Sequence, residues 1–253
     1  MSRGRAVALA RLGVIAALLL LVEALCRTHV IGPLVMIPPS AMVASMLRLI
    51  GSGEINDDIA RTFATVGAAF AVSVLAGFAL GVFVHAAPRL RRAIDPLLAS
   101  WYAVPFFVFY PLLVALFGLN VLPLIAIGVI FATPAMLIAT LLGLDRVPPV
   151  LLRTARVLRL GRAETVLRIV LPAALPSLCH GIKLALAYAF IGVIAGEFIL
   201  AGGGLGYAIA YAYESFENTT MYGLMLFVLL TAIVLNGLLY AWESRLNRRR
   251  SRA

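Results

Sequence analysis

Six long apolar runs organise the chain, at residues 7–26, 62–87, 96–117, 121–143, 178–200 and 222–242. A helix rising about 1.5 Å per residue needs about 20 mostly apolar residues to cross a bilayer, and each run meets that length. The runs are about twice as long as a barrel strand and do not alternate polar with apolar residues, which argues against a transmembrane barrel. Helices alone let stretches of this kind satisfy their own backbone in lipid. The pattern therefore predicts an all-α integral membrane protein with about six transmembrane helices. After the first run, Ile37-Pro38-Pro39-Ser40 breaks the helix. Ser40 is placed to cap a short amphipathic helix through Ile50, which Gly51-Ser52-Gly53 ends. An acidic stretch of Glu54, Asp57 and Asp58 then leads into the second run.

Composition agrees. Of 253 residues, 63% are hydrophobic and 13% charged, against about 25% charged in a soluble domain. A soluble single-core domain and a disordered chain are both excluded. Cys26 and Cys179 are too few for a disulfide scaffold, and neither they nor His29, His85 and His180 have metal-ligand spacing. The formal charge of +10 is distributed unevenly. The N-terminus, 88–95, 144–177 (with Lys183 just beyond) and the C-terminal tail hold 18 of the 21 basic residues and four acids. The opposite side holds three basic and seven acidic residues. Lys and Arg near span ends mark the cytoplasmic face, so both termini are predicted inside and the basic excess reads as topology, not nucleic-acid binding. Arg3 and Arg5 before an apolar run also resemble a signal peptide, but the cleavage site is poor and an uncleaved first helix is expected. The expected organisation is an N-terminal helix with an outer amphipathic segment (1–60), a core (61–245) with a cytoplasmic loop at 144–177, and a basic tail (246–253).

Within the spans, Gly77 and Gly81 stand in GxxxG spacing, which lets two helices approach closely in lipid. That fits either a seam with another copy or tight packing within the chain. Pro105, Pro111, Pro123 and Pro134 fall in the third and fourth runs, where interior prolines kink helices and free carbonyls. Adjacent kinked helices suit a pathway that rocks open and shut. The long inner loop has prolines at 148 and 149, suited to a helix start. Apolar residues with interleaved arginines then predict an amphipathic helix, a turn near Arg159–Gly161, and a second helix ended by Pro172. Such a helix lies on the inner leaflet or is presented to a partner's groove. Glu197, near a span end, precedes Gly202-Gly203-Gly204-Leu205-Gly206-Tyr207. An ionisable residue there marks a functional position or snorkels to water. The glycines follow no strand and lack the Lys-Ser/Thr of a phosphate loop, so they are a weak nucleotide motif.

The inner loop resembles that of permease subunits of bacterial ATP-binding-cassette importers, whose pattern is Glu-Ala-Ala, three residues, Gly, nine residues, Ile-x-Leu-Pro. Anchored on Ile169-Val170-Leu171-Pro172, the pattern places its second alanine on Ala155 and extends through Leu171-Pro172-Ala173-Ala174-Leu175-Pro176. Further segments (36–40, 61–81, 91–96, 104–111 with 117–118, and 196–207) resemble the nitrate/sulfonate/taurine-type branch, so that the likeness runs over about 35–245. Two positions depart from it. The pattern's glutamate falls on Arg153 and its glycine on Arg159, with Gly161 two places late. Since the glycine serves a turn, the turn is expected to shift to Gly161.

The resemblance implies a type I importer permease-like core of five helices plus an N-terminal helix, in the bacterial cytoplasmic (inner) membrane. It implies a transmembrane subunit that moves a small anionic solute, nitrate-, sulfonate- or taurine-like, by alternating access. The chain itself would be no enzyme: it lacks a phosphate loop, and ATP and magnesium would sit in a partner ATPase. The implied partners are a second copy, two ATPase subunits, an extracytoplasmic substrate-binding protein and the lipid bilayer. The loop that docks on the ATPase would comprise Arg153, Ala155, Arg156, Leu158, Arg159, Gly161, Ile169, Leu171 and Pro172. Pathway candidates are Tyr102, Phe106, Phe107, Asn120 and Glu197, with Glu197 and the glycine-rich segment Gly202, Gly203, Gly204, Gly206 and Tyr207 at the outer mouth. The rival readings are a stand-alone secondary transporter or channel, and a non-transport membrane anchor for a soluble partner. The first needs ionisable groups in mid-span, and neither explains the full loop pattern.

Overall fold

The computed structural model describes residues 3–200 and 202–250, and among them every regular element is a helix. The helices are α1 (Arg3–Arg27), α2 (Pro39–Ser52), α3 (Asn56–Ala86), α4 (Pro88–Ser100), α5 (Tyr110–Phe117), α6 (Leu122–Asp145), α7 (Pro149–Val157), α8 (Arg162–Thr165), α9 (Leu171–Leu200), α10 (Leu205–Glu214) and α11 (Asn218–Arg250). Four described stretches are long and apolar enough to cross a membrane: α3, α6, the rod 162–199 and α11. A bent pair built on α4 and α5 makes a fifth. The remaining apolar run, 7–26, lies in the 25-residue α1. Of the basic tail, 251–253 lies outside the described residues.

The third run is not one rod. Its two halves meet at 89°, because Pro105 has no N–H to continue a helix and forces Val104 into extended backbone (φ −79°, ψ 125°). The opposite outcome occurs at Pro172, where the sequence predicts a helix end. There the backbone widens into a π turn over Val166–Val170, in which the Leu171 N–H reaches back five residues to the Val166 carbonyl. The turn absorbs the proline, and α8 runs into α9 without a break.

The chain divides into two compact units. One comprises Met1–Ala60 with Phe198–Thr231, the other Arg61–Glu197 with Ala232–Ala253. The N-terminal segment thus groups with 198–231, and hydrogen bonds explain why. Ser45 Oγ donates to the Thr219 carbonyl at 2.8 Å, Tyr222 Oη to Val35 O at 2.6 Å, and Asn218 Nδ2 to Leu34 O at 2.7 Å. Ser40 does not cap α2. It lies inside the first turn, and the cap is the Glu23 carboxylate of α1, which accepts from the Ser40 N–H at 3.0 Å and hydroxyl at 2.6 Å. A carboxylate at a helix N-terminus satisfies orphan donors and complements the helix dipole. Gly53, at φ 75°, ends the helix as expected.

In the second unit α6 is central: 61% of its most apolar window is buried, against 28% for α3 and 39% for 162–199. Small residues make the approach possible. A Cβ on Gly77 would stand 2.7 Å from Met136 Cβ, and one on Gly81 2.6 Å from Thr140 Cβ. The GxxxG pair is therefore a seam between α3 and α6 of the same chain. From the other side Gly181 of α9 presses on Ala139, where a Cβ would come within 2.5 Å.

Substitution at the seam tests this packing. Gly81→Val is expected to lower stability by about 1–3 kcal/mol or more through overpacking. Gly67→Ala, with nothing within 4 Å of the added Cβ, is expected to be neutral or stabilising. Thermal unfolding in detergent reads both, and equal losses at the two glycines would contradict the seam.

Candidate coupling loop and buried carboxylate

The inner loop begins at Pro148, whose extended backbone (φ −61°, ψ 129°) delivers the chain to Pro149 at the start of α7. Pro fits a helix's first turn because its missing N–H would be unpaired there anyway. Ala155 is buried at 3% exposure, while Arg153, Arg156, Leu158 and Arg159 are exposed. The exposed surface is as apolar as it is basic: Val157 is 82% and Leu158 63% accessible.

The turn stays at Arg159 and does not move to Gly161. Arg159 has φ 51°, its N–H donates to Arg156 O at 3.1 Å, and the Leu160 N–H donates to Ala155 O at 3.0 Å. These two bonds are the Schellman pair that closes a helix around a left-handed residue. Gly161 has φ −63° and ψ 163°, extended backbone open to any residue, and precedes α8. The turn is set by the carbonyls α7 leaves unpaired, so its place follows where α7 ends and not where the nearest glycine lies. Holding a non-glycine residue left-handed costs about 1 kcal/mol. Beyond the turn, Ile169 is half-buried in the π turn, Leu171 half-buried and Pro172 exposed.

One pairing escapes sequence analysis. Asp145, the last residue of α6, accepts a bidentate grip from Arg91 of α4: Nη1 donates to Oδ1 at 2.7 Å and Nη2 to Oδ2. His85 Nδ1 lies 3.3 Å from Asp145 Oδ1. The grip therefore ties α4 to α6 four residues before α7. Nothing in spacing joins positions 54 residues apart; the available signal is that Asp145 is one of only four acids on an otherwise basic side.

Four of the five pathway candidates separate into a cluster and a buried site. Tyr102 stacks on Tyr188 at 4.7 Å between centroids and donates its hydroxyl to Phe131 O at 3.3 Å. Phe106 and Phe107 both pack on Phe131, at 5.9 and 5.0 Å. Trp101, which sequence reasoning passes over, donates Nε1 to Ile130 O at 3.1 Å. That carbonyl is the one Pro134, lacking an N–H, leaves without its helical partner. Glu197 is fully buried and so does not snorkel to water. The Thr62 hydroxyl sits 2.9 and 2.8 Å from its two carboxylate oxygens. The fifth candidate, Asn120, is committed to a turn: its Nδ2 donates to Phe117 O at 2.6 Å and its Oδ1 accepts from the Leu122 N–H at 2.7 Å. That arrangement starts α6.

In the first unit Gly203 (φ 157°) and Gly204 (φ 105°) occupy backbone that side chains rarely adopt. The reward is an N–H aimed at a carboxylate: Gly204 donates to Asp58 Oδ1 at 2.8 Å. Gly206 is buried in α10, while Gly202 and Tyr207 are exposed.

A double-mutant cycle with Arg91→Ala and Asp145→Ala is expected to give a coupling of about 1 kcal/mol, since both side chains are only part-exposed and the contact is bidentate. Thermal unfolding of the four proteins measures it, and additive losses would dismiss the grip.

Residues 73–252 match the family model described as "Binding-protein-dependent transport system inner membrane component". The chain is 29% identical over 187 residues to the nitrate import permease protein NrtB of Leptolyngbya laminosa, covering 74% of this chain and 67% of that one. It is 28% identical over 242 residues to the taurine transport system permease protein TauC of Escherichia coli K12, covering 93% and 87%. In structure it resembles the MetNI methionine ABC transporter solved in inward facing conformations, with a TM-score of 0.58 at 22% identity over 78% of this chain and 97% of that one. The last likeness speaks for the fold, and the first two for permeases rather than enzymes. With most of its length under the family model, and with multiple apolar helices packed as a permease packs them, this chain belongs to the inner membrane components of binding-protein-dependent transport systems.

Proposed function

We propose that the chain is the membrane-spanning half-pathway of an ATP-driven importer, and that α7 with its Arg159 turn is the element that receives force from a separate ATPase. The observation that carries this reading is the surface of α7. Val157 and Leu158 stand exposed beside Arg153, Arg156 and Arg159, while Ala155 and the Schellman turn hold the helix rigid. An exposed apolar-and-basic helix of this kind is a surface prepared for a partner's groove. Two ATPase subunits, carrying ATP and magnesium, would engage two copies of this chain. ATP-driven closure would displace α7, and the Arg91–Asp145 grip would pass the motion to α4 and its aromatic cluster. A shift of this kind needs ATPase contacts that differ between the two states of the permease.

The charge map supports an orientation with α7 and both termini on the cytoplasmic side. A binding protein would deliver solute to the opposite face. The solute class we infer is a small anion or sulfonate, supported by the names of the nitrate and taurine permeases it resembles.

The test is co-expression with a candidate ATPase and purification from detergent or nanodiscs. Arg156→Glu with Arg159→Glu is expected to lower recovery of the complex and its ATPase activity at least about tenfold, the equivalent of about 1.4 kcal/mol, with the permease's unfolding midpoint unchanged. Full recovery with the reversed charges would reject α7 as the contact. Uptake of labelled taurine and nitrate by vesicles holding the complete system decides the solute class separately.

A further inference from the structure

Two cavities lie side by side in the unit of 61–197 and 232–253. One, about 140 Å³, is a groove between α9 and α11 walled by Leu186, Phe190, Leu235 and Leu239. The other, about 410 Å³, is lined by Arg146, Ser177, His180 and Glu243 beside Ala139 and Leu142. They meet at one ion pair: Lys183 lines the groove, Glu243 lines the recess, and Lys183 Nζ lies 3.9 Å from Glu243 Oε2. The ammonium also sits 5.2 Å from the centroid of the Tyr240 ring. The recess is at the α7 end of its helices, since Arg146 directly follows α6, and the groove runs from Lys183 along the middle of α9 and α11. The most apolar window of α11 is only 6% buried, so the groove is open along α11.

Charge decides the occupant. Arg146 and Lys183 are basic and Glu243 acidic, so the three side chains leave one basic group in excess. Among the described residues no carboxylate is within ion-pair reach of Arg146. A phosphodiester, with a single negative charge, balances the site, whereas Glu243 opposes a dianionic free phosphate. Only a lipid fills the headgroup recess and the adjoining apolar groove together, and basic pockets between helices on the cytoplasmic side bind acidic headgroups. We propose that this composite site holds one anionic phospholipid, its phosphate over Arg146 and Lys183 and one acyl chain between α9 and α11. Ser177 and His180 border the headgroup, and Glu243 holds the Lys183 ammonium at the junction.

The experiment uses the full chain purified in a neutral detergent, with thermal unfolding followed on titration of dioleoyl phosphatidylglycerol, dioleoyl phosphatidylcholine or inorganic phosphate. Phosphatidylglycerol is expected to raise the midpoint by about 5 °C at saturation, phosphatidylcholine by less than half of that, and phosphate not at all. Arg146→Gln with His180→Gln, both exposed positions, is expected to keep its lipid-free midpoint and lose the preference between the two lipids. Leu235→Trp, which fills the groove, is expected to lose the bound lipid in native mass spectrometry. Equal shifts from the two lipids, a shift reproduced by phosphate, or an unchanged preference in the double variant overturns the proposal. So does a lipid-free dimer that cross-links through Leu239→Cys, because the groove would then belong to a second copy.

Discussion

Inside a bilayer there is no water to rescue an unpaired backbone carbonyl, and this chain takes its shape from how each proline's deficit is met. At Pro134 the orphaned Ile130 carbonyl is taken by the Trp101 indole. At Pro105 the helix gives way altogether, and the two halves of the third span diverge by 89°. At Pro172 the backbone loosens into a π turn and carries on. These three answers have three consequences. The first brings an aromatic cluster against α6, the second makes that cluster part of a break and not of a rod, and the third joins the inner loop to a spanning helix without a hinge.

Close packing converts these local answers into a connected device. Glycines at 77, 81 and 181 let α3 and α9 close on α6 to distances a side chain would forbid, so α6 has little room to deform along its length. Its last residue is gripped by Arg91, and four residues later α7 begins. In the proposed function a push on α7 therefore meets a stiff helix and a charged link to α4. Cores that pack this densely switch between arrangements and do not stretch.

The reach of sequence reasoning can be traced residue by residue. Apolar run length alone places α3, α6, the rod 162–199 and α11, because in lipid no other backbone answer is open to them. The inner loop is legible for the same reason as any amphipathic helix, its period. What fails are the inferences from single residues. Ser40 looks like a cap, yet a carboxylate from α1 fills that role. Gly161 looks like the turn, yet hydrogen bonding fixes the left-handed residue at Arg159. In each case a tertiary or neighbouring hydrogen bond outranks the residue's intrinsic preference. Pairings across many positions, such as Arg91 with Asp145 or Thr62 with Glu197, have no local signature and are visible only in the fold.

The central claim is that α7 is the surface on which an ATPase acts, and the most direct measurement is a site-specific cross-link. Val157, 82% exposed, is changed to Cys in the assembled transporter; Cys26 and Cys179 are both buried and do not compete for reagent. With a second cysteine placed in the groove of the ATPase, the account predicts a bismaleimide product that joins the two thiols and has the combined mass of permease and ATPase, and slow maleimide labelling of position 157 in the complex. Rapid labelling in the complex without any cross-linked product would contradict it.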